Sequence, residues 1–548
     1  MVKTIKSGVR AMRAGDWVRA PISPGQYFNR EPLLGYARAD GQGGNVLHPA
    51  SRVPDFERRL MDAHRAFCRR HPAAYVRRVH IEMPYWSGPA LPHPDDYRLV
   101  DAPQSLTTTL VTVVLVPQTA IRQASMGFYF ENGDLAPLRE RMRGVAFDGV
   151  VGNLGYYMTR ALIESKFPWS HNRRYPRFPL PPMPSYIGFH LFSDAATGER
   201  CGAFLGAHPS AVGVRRDGRV EIVPRLQIDR YDVSLCQREL TVDLIDRADA
   251  AGADVALFTP ALHTPQVRAH MAAAERSAGR DDGWQHYAPM LPLADAPDRV
   301  NVFVANRGDG RAPVERVAAV WEGKAPLPSF GAVLSFKRSY FESVFGRVAQ
   351  FRAQCVGQPV RITPHGAAIA RFAQMLGGLV PAVVDGRHIY CLDTVAQVMQ
   401  NLGRYGNATS PIAQAGRETK NFDPFVREPA GLLVQTRDRI GWVLFDGRHE
   451  LSIGAGVVDA GAILFKLEQL GMLGPQRVEQ AVFIDGGSAM KVYAVQSDEQ
   501  ALRLDLLNRV AAGSRNGAGS DEDGLNLYTL LTLDLRFPDA GQPDGGYG

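Results

Sequence analysis

The feature that most constrains the fold is the way short apolar runs end in glycine turns. One such run, Ala481–Ile484, has the length of a strand and leads directly into Asp485-Gly486-Gly487-Ser488. Glycines at a strand end allow a sharp turn and a close approach of the backbone to a ligand. Amides exposed in such a turn can form a small anion-binding nest. The segment therefore predicts a buried strand that ends in a plain turn, or in a site for a phosphate or sugar hydroxyl beside a carboxylate.

The same pattern recurs along the chain and indicates a β-rich protein. The 54 glycines and 38 prolines favour many short strands joined by turns over a helical bundle. Leu106–Pro117 predicts a buried strand, and hairpins are expected within Ala211–Val223 and Ala430–Phe445. Helical spacing of apolar residues predicts helices at Pro54–His71 and Val457–Leu470. We expect an α+β fold of β-rich mixed sheets with flanking helices.

A chain of 548 residues is too long for one compact core. Residues 1–104 are expected to form an N-terminal extension or small lobe. Residues 105–500 are expected to form the main domain, with two sub-lobes, 105–340 and 341–500, as an alternative. Residues 501–548 are expected to be partly disordered, because the tail after Ala512 is rich in glycine, serine and aspartate.

Composition and charge narrow the class of protein. Hydrophobic residues make up 45% and charged residues 22% of the chain, as in globular domains. The net charge of +6 comes mainly from arginine, which suits an anionic small molecule. No long basic block with aromatic residues is present, so no nucleic-acid partner is expected. The apolar runs have the length of strands, so no membrane partner is expected.

The cysteines and the N-terminus give an expected compartment. Five cysteines without a C-x-x-C pair argue against a zinc site and against a disulfide framework. Residues 1–10 carry positive charge but no apolar core of a signal peptide. We therefore expect a reducing, cytoplasmic location.

Several motifs, taken in chain order, resemble those of the phosphodiester glycosidase family. They are Asn153–Tyr157, Gly213–Val220, Leu257–Pro260, Arg427–Gly431, Phe445–Arg448 and Ile484–Ser488. The resemblance extends from about residue 105 to 495, and the order of the motifs around one helix carries most of it. It implies a hydrolase that splits a sugar, or a nucleoside-like group, from the phosphate of an anionic small molecule.

The resemblance also implies roles for particular residues. Phosphate leaves readily as an anion, so the site must hold its charge and supply a base or nucleophile. The catalytic candidates are Asp485, Asp446 and Glu428. The substrate-binding candidates are Asn153, Arg427, Arg448, Gly486, Gly487 and Ser488.

Departures from the family pattern leave other hypotheses open. Glu428 stands where the family has a threonine, and Ala489 stands where it has a second serine. A non-hydrolytic binding or tailoring protein, or a phosphodiesterase that cleaves the P–O bond, would also fit. Asp446 could simply form a turn, and Glu428 could pair with Arg427. No cofactor and no histidine metal site are expected, with a divalent ion such as calcium as an alternative.

Overall fold

The structure is a computed structural model. It describes residues 28–29, 53–84, 86–87, 90–104, 107–128, 130–131, 134–135, 138–155, 157–158, 185–186, 189–193, 200–204, 210–247, 252–260, 291, 293, 296–307, 314–325, 331–405, 427, 429–447, 451–484, 486, 490–498, 500–509 and 529–535.

Strands greatly outnumber helices in this part of the chain. The helices are α1 (Val53–Arg70), α2 (Leu138–Met142), α3 (Arg338–Phe345), α4 (Val348–Cys355), α5 (Val395–Arg404) and α6 (Val457–Gln469). The first half of the strands is β1 (Phe28–Asn29), β2 (Tyr75–Glu82), β3 (Trp86–Ser87), β4 (Arg98–Val100), β5 (Thr108–Pro117), β6 (Ile121–Phe128), β7 (Phe130–Glu131), β8 (Asp134–Leu135), β9 (Phe147–Asn153), β10 (Tyr157–Met158), β11 (Ser185–Tyr186), β12 (His190–Ser193), β13 (Arg200–Gly202), β14 (Ser210–Arg215) and β15 (Val220–Val223). The second half is β16 (Arg230–Leu235), β17 (Arg238–Val242), β18 (Val255–Phe258), β19 (Arg299–Arg307), β20 (Val314–Glu322), β21 (Ala332–Lys337), β22 (Val360–His365), β23 (Phe372–Val384), β24 (Arg387–His388), β25 (Ala430–Thr436), β26 (Arg439–Phe445), β27 (Val478–Ile484), β28 (Val492–Ser497), β29 (Leu502–Leu506) and β30 (Thr529–Leu535).

A large main sheet organises the molecule. Its central order is β13-β12-β23-β27-β25-β26-β5-β2-β4, and all of these neighbours pair antiparallel. One face packs against α5 and α6 through residues such as Val443 and Ile463, and we call it the helix face. The other face packs against α1 and the five-stranded sheet β29-β28-β9-β30-β6 through residues such as Trp442 and Val150, and we call it the sandwich face. Helix α2 covers the far side of the five-stranded sheet. The result is four layers in the order helix, sheet, sheet, helix.

A second hydrophobic core is formed mainly by the segment of the chain between β15 and β23. It is built from the sheets β17-β16-β22 and β18-β21-β19-β20 together with α3 and α4. Because β14 and β23 both belong to the main sheet, the chain enters and leaves this second core beside that sheet. Rings of Phe336, Phe341 and Phe351 meet edge to face at its centre.

The β-rich α+β class is confirmed, and so are several individual elements. Both predicted hairpins form, as β14–β15 and β25–β26. The two predicted helices are α1 and α6, and Gly471 follows α6 with a φ of 66°. Leu470, expected on the buried face of that helix, is 46% exposed because it lies beyond the last full turn.

The predicted domain boundaries at 104 and 500 stay predictions. Strands β2 and β4, from the N-terminal segment, pair within the main sheet. Strand β30, from the C-terminal segment, pairs with both β6 and β9. None of the described helices combines the length and apolar character that a bilayer crossing needs.

A disulfide joins Cys236 to Cys355 within the second core. Cys236 and Gln237 form the two-residue turn between β16 and β17, and φ values of 49° and 65° fit the turn type that matches strand twist. The bond ties this turn to the last residue of α4 across 119 residues of sequence. The sequence did not predict this disulfide, because neither cysteine has another cysteine near it in the sequence. The expected reducing compartment stays a prediction, whereas stable disulfides are typical of oxidising ones.

We predict that Cys236→Ser lowers the stability of the second core under non-reducing conditions. Closing a loop of this length stabilises a fold by up to about 5 kcal/mol in the chain-entropy model. The measurement is thermal unfolding with and without dithiothreitol, alongside peptide mass spectrometry of the unreduced protein. Cys201→Ser, at an exposed cysteine outside the disulfide, is the matched control. Recovery of Cys236 and Cys355 as free thiols from the unreduced protein would contradict the assignment.

Burial raises the pKa of Glu315, on β20, to about 8. The folded protein therefore keeps this proton at pH values where the unfolded chain, with a normal glutamate, has lost it. The stability that Glu315 contributes is fully present below about pH 4.5 and is lost as the pH rises to about 8. We predict that Glu315→Gln gains stability over the parent protein across this range, by up to about 5 kcal/mol. Urea unfolding at pH 5 and pH 9 checks this, with exposed Glu239→Gln as the control; an equal effect at both pH values would refute it.

Candidate active site

Strand register brings three of the sequence motifs to one edge of the main sheet. Ala430 at the start of β25 pairs with Phe445 at the end of β26, and Gly431 pairs with Ile484 at the end of β27. Phe445 in turn pairs with Val111 near the start of β5. The segments before β25, after β26 and after β27 therefore leave the sheet side by side. We call this the motif edge.

Pro429 is the point at which these three segments meet. A Cβ atom on Gly447 would lie 2.7 Å from the Pro429 nitrogen, and one on Gly486 would lie 2.8 Å from the Pro429 oxygen. Both contacts are with backbone, which cannot move aside as a side chain can. Glycine at these two positions is therefore required by close packing of the loops.

Asn153 joins the same region from the five-stranded sheet. Its amide donates to the Lys491 carbonyl at 3.1 Å, and its own carbonyl accepts from Trp442 Nε1 at 3.3 Å. Asn508 fixes the adjoining segment, because Nδ2 donates to the Met490 carbonyl and Oδ1 accepts from the Val492 amide, both at 2.9 Å. These hydrogen bonds hold residues 490–492, which follow shortly after Gly486 in the chain.

Arg427 lies on the helix face in a two-pronged ion pair with Asp459 of α6. Nε and Nη2 each lie 3.0 Å from a carboxylate oxygen, and Nη2 also donates to the Pro84 carbonyl at 2.8 Å. Asp459 further accepts from the Tyr97 hydroxyl at 2.9 Å and from the Gly456 amide at 3.0 Å. Both charged side chains are at most 2% exposed. Arg427 therefore ties the segment before β25 to the N-terminus of α6, where a carboxylate is favoured.

Asp446 lies on the sandwich face and is fully buried. Oδ2 accepts from Arg78 Nη2 at 2.6 Å, and Oδ1 accepts from the Arg509 amide at 2.9 Å. Burial raises the pKa of Asp446 to about 6, while the Arg78 guanidinium and the Arg509 amide act in the opposite direction. The Ser452 hydroxyl donates to the Asp446 carbonyl at 2.7 Å, which closes the loop after β26.

Arg427 and Asp446 thus share one edge but point to opposite faces of the sheet. Asp459 belongs to α6, which packs on Val443 and Phe445, whereas Arg78 reaches Glu57 of α1, which packs on Trp442. Each charge is neutralised inside the protein by an opposite charge. Their positions favour holding loops in place over direct contact with a ligand.

A groove of about 600 Å³ lies beside the motif edge. It is lined by Glu82, Met83, Pro84, Leu91, Pro92, Asp95, Asp96, Arg98 and Thr107. Pro84 connects the groove to Arg427, because the Pro84 carbonyl accepts a hydrogen bond from Arg427 Nη2. Three carboxylates against one guanidinium make the lining acidic, although Arg98 pairs with Glu82 and Lys466 pairs with Asp95, each at 2.8 Å.

The predicted site residues divide into two groups. Those that the structure describes, Asn153, Arg427, Asp446 and Gly486, all lie at or beside the motif edge. Glu428, Arg448, Asp485, Gly487 and Ser488 lie outside the described residues, within the same short loops of sequence. Over the described ranges no three metal-ligating side chains come together.

Sequence reasoning missed the partners of the buried charges. Asp459 could have been suspected, because an aspartate three residues after Gly456 is typical of a helix start. Arg78 carries no local signal, since its partner Asp446 is 368 residues away in the chain, and Glu57 joins this cluster only through Arg78. The groove was missed although its lining residues lie close together in sequence, between Glu82 and Thr107, because they form no recognisable motif.

We predict that Arg427→Met destabilises the protein by about 3–5 kcal/mol, because it leaves the Asp459 carboxylate buried without its guanidinium. Arg439→Met, in the β25–β26 hairpin but only partly buried, is the matched control and should cost less than about 1 kcal/mol. Urea unfolding followed by tryptophan fluorescence checks this, because Trp442 lies in the adjoining core. Equal stability of the two variants would show that the ion pair is not needed.

Comparisons with known proteins give distant similarity only. No family model matches the chain, and no curated protein matches it. Similar solved structures include a hypothetical protein from Synechocystis, with 15% identity, a TM-score of 0.35, and coverage of 78% of this chain and 60% of the other. A protein from Burkholderia pseudomallei K96243, provisionally named an exported protein, has 16% identity and a TM-score of 0.34, with coverage of 75% of this chain and 76% of the other. The catalytic domain of zebrafish N-acetylglucosamine-1-phosphodiester alpha-N-acetylglucosaminidase, auto-inhibited by its pro-peptide, has 11% identity, a TM-score of 0.31, and coverage of 85% and 84%.

Proposed function

We propose that the chain has a phosphodiester-glycosidase-like fold and hydrolyses a glycosyl phosphodiester in an anionic small molecule. The observation that carries the proposal is the motif edge. Three segments, each with a motif similar to that family, meet at Pro429: the two ends of the β25–β26 hairpin and the segment after β27. The hairpin itself brings the first two segments together, and the pairing of β27 with β25 adds the third.

In this proposal the buried charges position the site, and their sequence neighbours act on the substrate. Arg427 and Asp446 are held in ion pairs, so they fix the segments that carry Glu428 and Arg448. Arg448 and the amides of Gly486, Gly487 and Ser488 bind the phosphate, as forked guanidinium groups and turn amides do.

The groove holds the sugar. Carboxylates such as Glu82 and Asp96 accept hydrogen bonds from hydroxyl groups, and their charge disfavours a phosphate in the same place. The phosphate therefore lies toward the motif edge, and the anomeric carbon lies between the two regions.

The reaction replaces the bond between the anomeric carbon and the phosphate oxygen with a bond to water oxygen. The phosphate monoester leaves with both electrons of the broken bond. Asp485 takes the proton from the attacking water, or attacks the anomeric carbon itself and is released by water in a second step. Glu428 is the second carboxyl group available to either route.

A non-hydrolytic binding protein is the second candidate function. The observation that favours it is the internal neutralisation of Arg427 and Asp446, which leaves fewer groups for chemistry. Thermal-shift measurements with sugar phosphates distinguish the two functions. Stabilisation without any product from the corresponding phosphodiesters supports binding alone.

We predict that Asp485→Asn and Arg448→Ala each lower turnover of glycosyl phosphodiesters by roughly 100-fold or more. Mass spectrometry of released sugar measures this, and oxygen-18 water shows whether label enters the sugar, as C–O cleavage requires, or the phosphate. Asp438→Asn, in the exposed turn at the other end of the β25–β26 hairpin, is the matched control and should keep full activity. Parental rates in both site variants would disprove the assignment.

A further inference from the structure

Arg78 connects the N-terminal region to the motif edge. It lies on β2, and its side chain is 2% exposed. Nε and Nη2 bind the two oxygens of Glu57 at 2.7 and 2.6 Å, and Nη1 donates to Thr112 Oγ1 at 2.7 Å. The same Nη2 binds Asp446 Oδ2 at 2.6 Å. All three guanidinium nitrogens are therefore engaged, and one of the partners is a predicted site residue.

Asp446, the partner of Arg78, is the residue from which the loop after β26 begins. The Asp446 amide donates to the Leu110 carbonyl at 2.9 Å, so the chain is still on the sheet at this residue. The next residue, Gly447, packs against the Pro429 nitrogen. A shift of the Asp446 carboxylate would move Gly447 relative to Pro429, and thus one segment of the motif edge relative to another.

Arg78 also balances the charge of a buried cluster. Glu57 and Asp446 are both acidic, and the side chain of Glu57 is 21% exposed while that of Asp446 is fully buried. Burial lowers the pKa of nearby His64 to about 4. Burial, and to a smaller extent the positive charge of Arg78, lowers the pKa of His80. Neither histidine therefore replaces the guanidinium charge at neutral pH. Among the residues that the structure describes, Arg78 is therefore the arginine that pairs with both carboxylates.

We propose that Arg78 is a positioning residue of the active site, which holds Asp446 so that Gly447 keeps its contact with Pro429. The N-terminal helix α1 and strand β2 then complete the site through Glu57 and Arg78. The inference rests on the proposed function for its effect on turnover. Its structural part, the ordering of the loop after β26, stands apart from any reaction.

The test compares Arg78→Lys with Arg77→Lys, a substitution at the adjacent exposed arginine of β2. Lysine keeps the charge but cannot hold Glu57 and Asp446 in the same forked geometry. We expect amide hydrogen exchange in the peptide 446–454 to speed up about tenfold or more in Arg78→Lys, with other main-sheet peptides unchanged. We expect kcat/KM for a glycosyl phosphodiester to fall roughly 100-fold, as for a misplaced site group. Arg77→Lys should change neither.

A second comparison separates positioning from general stability. If Arg78 acts through Asp446, Arg78→Lys should add little further loss in an Asp446→Asn background. Additive losses, parental exchange in peptide 446–454, or uniformly faster exchange over the whole main sheet would each overturn the proposal. If the parent protein cleaves no glycosyl phosphodiester, the proposed function fails, and the exchange pattern still decides whether Arg78 orders this loop.

Discussion

The antiparallel register of β25, β26 and β27 is the constraint on which the site depends. Side chains alternate between faces along a strand, so a slip of one residue would exchange the helix face and the sandwich face. Trp442 would then leave the core shared with the five-stranded sheet, and Val443 would leave the core shared with α6. The same slip would separate the end of β26 from Pro429. Because both faces of the sheet are buried, such a slip would disrupt the packing of two cores at once. The register is therefore strongly specified.

Two ion pairs extend this constraint into the loops. A buried charge is costly unless it is paired and its remaining hydrogen-bonding capacity is filled. Asp459 meets that condition with donors from Arg427, Tyr97 and the Gly456 amide. Asp446 meets it with Arg78 and the Arg509 amide. Since the two pairs lie on opposite faces, they hold neighbouring loops from both sides of the sheet. That arrangement fixes a site more precisely than a loop closed only by its own turn.

Local sequence was sufficient where the structure depends on local chemistry. The β25–β26 hairpin and α6 follow from turn residues and apolar spacing. Strand β23 was not foreseen, because Gly377, Gly378 and Pro381 argue against a strand. It is nevertheless central, and Pro381 is accommodated at an irregularity in its pairing with β27. The roles of Arg427 and Asp446 depend on residues brought together only by the complete fold, and a sequence alone cannot name such partners.

The electrostatics of the motif edge limit which ligand could occupy it. The groove presents Glu82, Asp95 and Asp96, and Arg427, which binds the Pro84 carbonyl, already pairs with Asp459. A phosphate placed in the groove would meet these carboxylates, and the guanidinium among the described lining residues, Arg98, already pairs with Glu82. A neutral, hydroxyl-rich group would instead find acceptors there. In the proposed function, the hydroxyl-rich end of a glycosyl phosphodiester therefore occupies the groove, and its anionic end lies toward the motif edge.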